Sequence, residues 1–473
     1  MEDGGDILIS IYQLLRMSPM PPKRIYPPKV KAPTMKTVKT YLSKDAQLGA
    51  LRCCLERIPD HRYGADIPLA DVLMSGYAMF DLKDPSLLAF DERRCRDAAN
   101  LERIYGIGKV ACDTQLRTVI DPVAPAWLRP GFKIIVATLQ RGKALQQLAY
   151  YDGHYLLSLD GTGSFGSENL SSASCLVKNK SNGKKFYYQQ VLGASLVHPD
   201  SRVVIPLAPE MIIPQDGSTK NDCERNAAKR FLPKFREEFP RLPVIVVEDG
   251  LSSNGPHIRD LQQHNMRFIL GAKPGDHPFL FENLDRAIKT GTCTTFAQPD
   301  PKNPEIMHSY CCINDTPLNQ ANPELKVNFL VYEEHNAKTG KIQRFSWVTD
   351  LPITEKNAYI LMRGGRSRWK IENETFNTLK NQGYNLEHNY GLGKEHLSEN
   401  FVMLMMLAFL LDQAQQLSSP LFQAALEKSG SKRSLWEQQR NLFNSFELDS
   451  MSTIYTMIIN GFRKPSPDII YDE

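Results

Sequence analysis

The chain has 473 residues, 42% of them apolar and 23% charged. That composition fits a soluble globular protein of two or three structural units and excludes a disordered, collagen-like or disulfide-stapled chain. Lys and Arg number 57 against 53 Asp and Glu, a net charge of +4, too weak a bias to indicate nucleic-acid binding unless local clusters do so. The nine cysteines are odd in number, include two vicinal pairs and show no C-x-x-C spacing, which indicates free thiols in a reducing compartment.

The N-terminus, MEDGGDILISIYQLLRM, starts acidic and lacks the basic n-region and small-residue cleavage site of a signal peptide. The longest apolar run, Phe401 to Leu411, is about half of a bilayer span, so a cytoplasmic protein without membrane contact is expected. Residues 1–40 form an arm whose stretch 19–39 is rich in Pro and Lys. From 41 to 150 the pattern is helical, as in AQLGALRCCLERI and ADVLMSGYAMFDL.

After Tyr150 the texture changes. HYLLSLD (154–160), YYQQVLGASLVH (187–198) and RVVIPLAPEMII (202–213) read as three neighbouring strands. A helix over about Thr219 to Glu238 follows, capped by Thr219 and kinked or interrupted at Pro233. LPVIVVED (242–249) reads as a buried parallel strand. Asn254 and Pro256 open another helix, and MRFILGA (266–272) is a further strand. Three strands, helix, strand, helix, strand predicts a mixed five-stranded sheet with helices packed on it, an order similar to the ribonuclease-H-like fold. Short strand-like stretches between 290 and 350 (MHSYCCIN, VNFLVYEE, RFSWVTD) predict an all-β insertion. Helices follow over about 354–365, 366–382 and 395–416.

Asp160 and Asp249 each end an apolar strand and precede Gly, and Glu372 lies on a helix in RWKIENETF. In that fold the two strands are central neighbours, so their carboxylates converge. Three hard oxygen donors without His or Cys suit Mg²⁺ or Mn²⁺, two ions being the arrangement that serves phosphoryl transfer. Glu248 and Glu374 compete with Asp249 and Glu372, but alternation along a strand lets only one of 248 and 249 face the site. Arg363, Arg366, Arg368 and Lys370 crowd beside Glu372, and Lys178, Lys180, Lys184 and Lys185 follow Asp160. Basic clusters flanking such a site favour phosphate contacts. Gly161, Gly163 and Gly166 spell G-x-G-x-x-G, but the polar SENLSSASCLVKNKSNGKK that follows cannot open a packed helix. The segment is therefore expected to be a loop with flexible glycines, and the dinucleotide-binding reading fails.

DGTGSFGS, VVEDGLSSN, and FSWVTDLP followed by RSRWKIENETFNTLKNQGYNLEHNYG resemble the DDE transposases of bacterial insertion sequences. The closest group is the cut-and-paste one with a β-rich insertion before the catalytic glutamate. The resemblance spans about residues 150 to 410. That group's Tyr-x₂-Arg-x₃-Glu-x₆-Lys signature is matched at Arg368 and Glu372, whereas Gly365 stands at the Tyr position and Leu379 at the Lys position, with Lys380 one residue late. The resemblance implies that Asp160, Asp249 and Glu372 hold the metal ions that nick transposon ends and join the 3′-hydroxyl to target DNA. It also implies partners, namely inverted-repeat ends, target DNA and a second copy in a synaptic homodimer, in the nucleoid of a bacterial cytoplasm. The expected DNA contacts are Arg368, Lys370, Lys380, Arg366, Arg363, Lys184 and Lys185, and the resemblance adds Phe345 or Trp347 as the aromatic that receives a flipped base. The expected division is an arm (1–40), a helical DNA-binding domain (41–150), a ribonuclease-H-like core (151–280 and 353–420), a β insertion (281–352) and a helical tail (421–473). A transposase-derived DNA-binding protein without catalysis and another ribonuclease-H-like nuclease or ATPase stay open as alternatives.

Overall fold

The computed structural model describes residues 34–216 and 220–461; the arm up to residue 33 and the Thr219 cap lie outside the described residues. The described chain divides into a sheet unit (146–163 and 174–376) and a helical unit (34–145, 164–173 and 377–461).

The sheet unit carries strand β1 (Tyr155–Ser167) as far as Gly163, β2 (Leu176–Asn179), β3 (Lys185–Val197), β4 (Ile205–Pro206), β5 (Glu210–Ile212), β6 (Val244–Glu248) and β7 (Arg267–Gly271). It continues through β8 (Thr294–Pro299), β9 (Ile306–Asn319), β10 (Asn322–Asn336) and β11 (Ile342–Thr349). All belong to one mixed sheet in the order β2-β3-β1-β6-β7-β11-β10-β9-β8, with β4 and β5 paired to β3. At its centre β6 runs parallel to both β1 and β7. These strands read as unbroken apolar runs because they are buried along their length, from Val244 to Val247 and from Phe268 to Leu270. The helices Lys220–Glu238 and Gly255–Gln263 precede and follow β6, and Asn254 caps the second by accepting from the His257 amide at 3.1 Å.

Several expectations change. The chain does not leave the sheet at Asp160: β1 continues to Ser167, so the three glycines lie in a strand and not in a flexible loop. β2 forms inside the stretch read as polar loop. The third expected strand breaks into β4 and β5 around Pro209, which has no N–H to give a ladder. The helix Lys220–Glu238 passes through Pro233 without interruption. The β insertion is not a separate layer, since β11 pairs antiparallel with β7 (Val348 opposite Leu270) and extends the central sheet. It also opens with a helix, Pro278–Thr290, which has Pro in its first turn and buries Leu280, Phe281 and Leu284.

In the helical unit the N-terminal helices and the chain after 377 form one body rather than a domain and a tail. Asn100 donates to the Phe443 and Phe446 carbonyls at 2.7 Å each, and Asp45 accepts from the Met451 amide at 2.8 Å. Leu397–Ser418 is long and apolar enough to cross a membrane, but 89% of its most apolar window is buried.

Candidate active site

The register places the two aspartates. β1 and β6 pair from Tyr155 opposite Val244 to Ser158 opposite Val247; just beyond the last pair, Asp160 and Asp249 line one cavity. β6 ends at Glu248, and Asp249 caps the short turn Gly250–Ser252 by accepting from the Leu251 amide at 3.0 Å. Asp160 accepts from its neighbour's amide, Gly161, at 2.8 Å.

Glu372 arrives on a helical segment laid over β1 and β3. Ser158 Oγ donates to the Arg368 carbonyl at 3.2 Å, and the Ser195 and Thr375 hydroxyls meet at 3.0 Å. Phe376 fills the space over Gly193, where an added Cβ would stand 2.6 Å from its ring. Residues Ile371–Phe376 take π-helical geometry, a distortion often found where function requires a side chain to be re-aimed. Arg368 and Glu372 share a face, and one guanidinium nitrogen, Nη1, reaches Glu372 Oε1 at 3.1 Å and Asp160 Oδ2 at 3.2 Å.

The electrostatics follow from this crowding. Burial raises the Asp160 carboxyl to about 7, its hydrogen bond with Glu372 adds to the effect, and Arg368 offsets part of it. Folded Asp160 therefore keeps its proton up to near-neutral pH unless a cation takes its place.

Asp160 and Asp249 line a common cavity of about 30 Å³. The same wall carries Glu224, Arg225, Glu248 and His257, which sequence reasoning did not assign. Glu224 was findable: it precedes Ala228, Phe231 and Phe235 by one, two and three helical turns, so it lies on the stripe facing the sheet. Its carboxylate lies over Gly161, where an added Cβ would meet Glu224 Oε1 at 2.5 Å. That contact accounts for the glycine after Asp160. Arg225 ties the helix to the turn after Asp249 by donating to the Leu251 carbonyl at 3.0 Å and 3.2 Å. Glu248 is engaged with His257 Nε2 at 2.6 Å, and Glu374 stands 4.0 Å from Lys370.

The structure gives each cation of the 363–370 cluster a protein partner. Arg363 forks onto Asp200 at 2.6 Å and 3.1 Å, Arg366 donates to Glu334 at 2.7 Å, and Lys370 donates to the Ser201 carbonyl at 2.7 Å. Lys184 and Lys185 are exposed at the β2–β3 turn. Trp347 is only 5% exposed, a core position with its ring stacked on Phe345 at 5.9 Å; the half-exposed ring is Phe345. Trp347 also explains one departure from the signature, because a Cβ at Gly365 would lie 2.4 Å from its indole nitrogen. In the helical unit Leu379 is a buried core residue, and Lys380 pairs with Glu387 at 2.8 Å.

No family model matches this chain, and no curated protein matches it. Among solved structures it is similar to a chain described as the cryo-EM structure of a piggyBac transposase synaptic complex with hairpin DNA. The TM-score is 0.42 with 8% identity, over 92% of this chain and 88% of that one; a likeness of that size carries no functional argument.

Proposed function

We propose that this protein is a DNA transposase that cuts its element's ends and joins the 3′-hydroxyl to target DNA, with Asp160, Asp249 and Glu372 as the acidic triad of a ribonuclease-H-like core. The carrying observation is that Asp160 and Asp249, just beyond the paired residues of β1 and β6, line one cavity, with Arg368 bridging Asp160 and Glu372. The strand order β3-β1-β6-β7, parallel at β1–β6–β7, supports the core assignment.

The oxygen-only donor set suits Mg²⁺ or Mn²⁺. Among the described residues no three of His, Cys, Asp and Glu stand close enough to hold an ion. Asp160 and Glu372 are instead drawn onto Arg368, and Asp249 onto the Leu251 amide. Asp160, Asp249 and Glu372 are the residues that would hold the ions. When bound, such ions activate a water or 3′-hydroxyl and stabilise the leaving oxygen. The chain's own contribution is to position and neutralise: Arg368 balances two carboxylates, and the paired cations of 363–370 line the approach of a phosphate backbone. A second copy in the synaptic complex and a bacterial, nucleoid-associated setting are part of the same proposal.

The test is a strand-transfer assay with Mg²⁺ on DNA carrying the inverted repeats that flank the gene. Cleavage and joining by the wild type, lost in Asp160→Asn, Asp249→Asn and Glu372→Gln while DNA binding persists, is the expected result. Cleavage without joining would make the protein a nuclease, and binding without cleavage a transposase-derived DNA-binding protein.

A further inference from the structure

The extended part of the sheet contains a chain of polar contacts that the proposed chemistry does not use. His308 on β9 points Nε2 at Asp300 Oδ2 at 2.9 Å and Nδ1 at the Tyr332 hydroxyl at 2.7 Å. Tyr332 on β10 donates to Glu334 Oε2 at 3.0 Å, and the same oxygen accepts from Arg366 Nη1 at 2.7 Å. Asp300 is itself fixed by the Lys302 and Asn303 amides at 2.8 Å and 2.9 Å. At the far end, the Arg366 guanidinium lies over the Phe345 ring at 4.9 Å.

Proton counting gives this chain a direction. Tyr332 has one hydroxyl proton and uses it on a carboxylate that can only accept, so it must accept from His308 Nδ1–H. Both ring nitrogens of His308 are engaged, so its orientation is fixed from two sides and Asp300, His308, Tyr332, Glu334 and Arg366 are joined at every link. His308 and Tyr332 are buried, whereas Arg366 and Phe345 are partly exposed. A buried network that terminates on one surface arginine fixes the pose of that arginine. A guanidinium has five N–H donors, and the bond to Glu334 uses one of its two terminal nitrogens.

We propose that Asp300, His308, Tyr332 and Glu334 are positioning residues that hold Arg366 over Phe345 as a preset contact for the phosphate backbone of DNA. The proposal rests on the function argued above. Pre-ordering a long, rotamer-rich side chain removes the entropy that binding would otherwise have to overcome.

The experiment measures binding of the full chain to a short DNA duplex of arbitrary sequence across a range of salt concentrations, since phosphate contacts are independent of sequence. Arg366→Ala should lower the slope of log K against log salt by about 0.9, the value for one lost phosphate contact. Tyr332→Phe keeps the ring and every formal charge, yet should weaken binding and lower the slope in the same direction. Combined with Arg366→Ala it should add nothing further. A purely structural defect would reduce the active fraction without moving the slope. Glu334→Gln keeps an acceptor but removes a negative charge: simple charge balance predicts tighter DNA binding, the positioning role weaker. Wild-type slope and affinity in Tyr332→Phe, full additivity with Arg366→Ala, or tighter binding by Glu334→Gln would each overturn the relay while leaving the transposase reading intact. A wild-type protein with no salt-dependent DNA binding would overturn that reading and the relay with it.

Discussion

Each unit buries a cluster of charges, and the two clusters are built on opposite principles. In the helical unit Lys44 bonds Asp412 at 2.9 Å and Asp81 at 2.5 Å, and Lys83 bonds Asp412 at 2.7 Å. The hydroxyls of Tyr77, Tyr105 and Tyr384 complete the same carboxylates at 3.2 Å, 2.8 Å and 2.6 Å. Two cations meet two anions, and the network closes on itself in the interior. In the sheet unit Asp160, Asp249, Glu224 and Glu248 line one cavity with Arg225, Arg368 and His257, and Glu372 joins them through Arg368. The first cluster closes its charges among its own members, whereas the crowded carboxylates of the second raise the proton affinity of Asp160.

That contrast predicts opposite responses to the same isosteric change. Asp160→Asn should lower end cleavage and joining by at least about 10³-fold, about 4 kcal/mol at the barrier. In a urea titration it should not destabilise, and at neutral pH it should raise stability, because it removes a carboxylate whose ionisation the folded site opposes. Asp412→Asn should instead cost about 3–5 kcal/mol of stability in the same urea titration, since it leaves Lys44 and Lys83 buried without their shared anion. Large destabilisation by the first substitution, or none by the second, would collapse the distinction.

A smaller effect tests Gly365. A Cβ there, as in Gly365→Tyr, would overlap the Trp347 indole nitrogen. Overpacking should cost about 1–3 kcal/mol, and Trp347→Ala should relieve it in the double variant. A stable Gly365→Tyr with wild-type packing would show that Trp347 is not what keeps that position a glycine.

How much of this was legible follows from the range of each interaction. The apolar runs ending at Asp160 and Asp249 and the Arg368–Glu372 spacing are local patterns, and the structure has β6 and β7 where those patterns predict strands. The extent of β1 was not legible, because Gly161, Gly163 and Gly166 look like turn residues until Glu224 is known to lie over Gly161. The joining of the insertion to the core depends on β11 finding β7, a pairing of residues about 78 positions apart that no local period records. The single helical unit is likewise held by contacts such as Asn100 to Phe443. The basic cluster at 363–370 was visible as sequence, but its partners Asp200, Ser201 and Glu334 come from distant turns and strands.

A pH slope comes from the pair that borders the acidic cavity. Burial alone would lower the His257 pKa, but the charge and hydrogen bond of Glu248 outweigh it and the net shift is upward. A raised base contributes stability that is fully present below its unfolded value of about 6.5 and is lost as pH rises through the folded value. Stability should therefore fall above about pH 6.5, with a slope of at most about 1.4 kcal/mol per pH unit. Asp160 acts in the same direction but in a lower window: a carboxyl raised to about 7 loses its contribution between its unfolded value, about 4, and about 7. The two separate by substitution. Asp160→Asn should flatten stability between about pH 4 and 7 and keep the decline above, and His257→Gln should do the reverse. If the decline above neutrality survives in His257→Gln, then Glu248 and His257 do not form the ion pair that balances this wall of the cavity, and the excess of negative charge around Asp249 is larger than the comparison of the two clusters assumes.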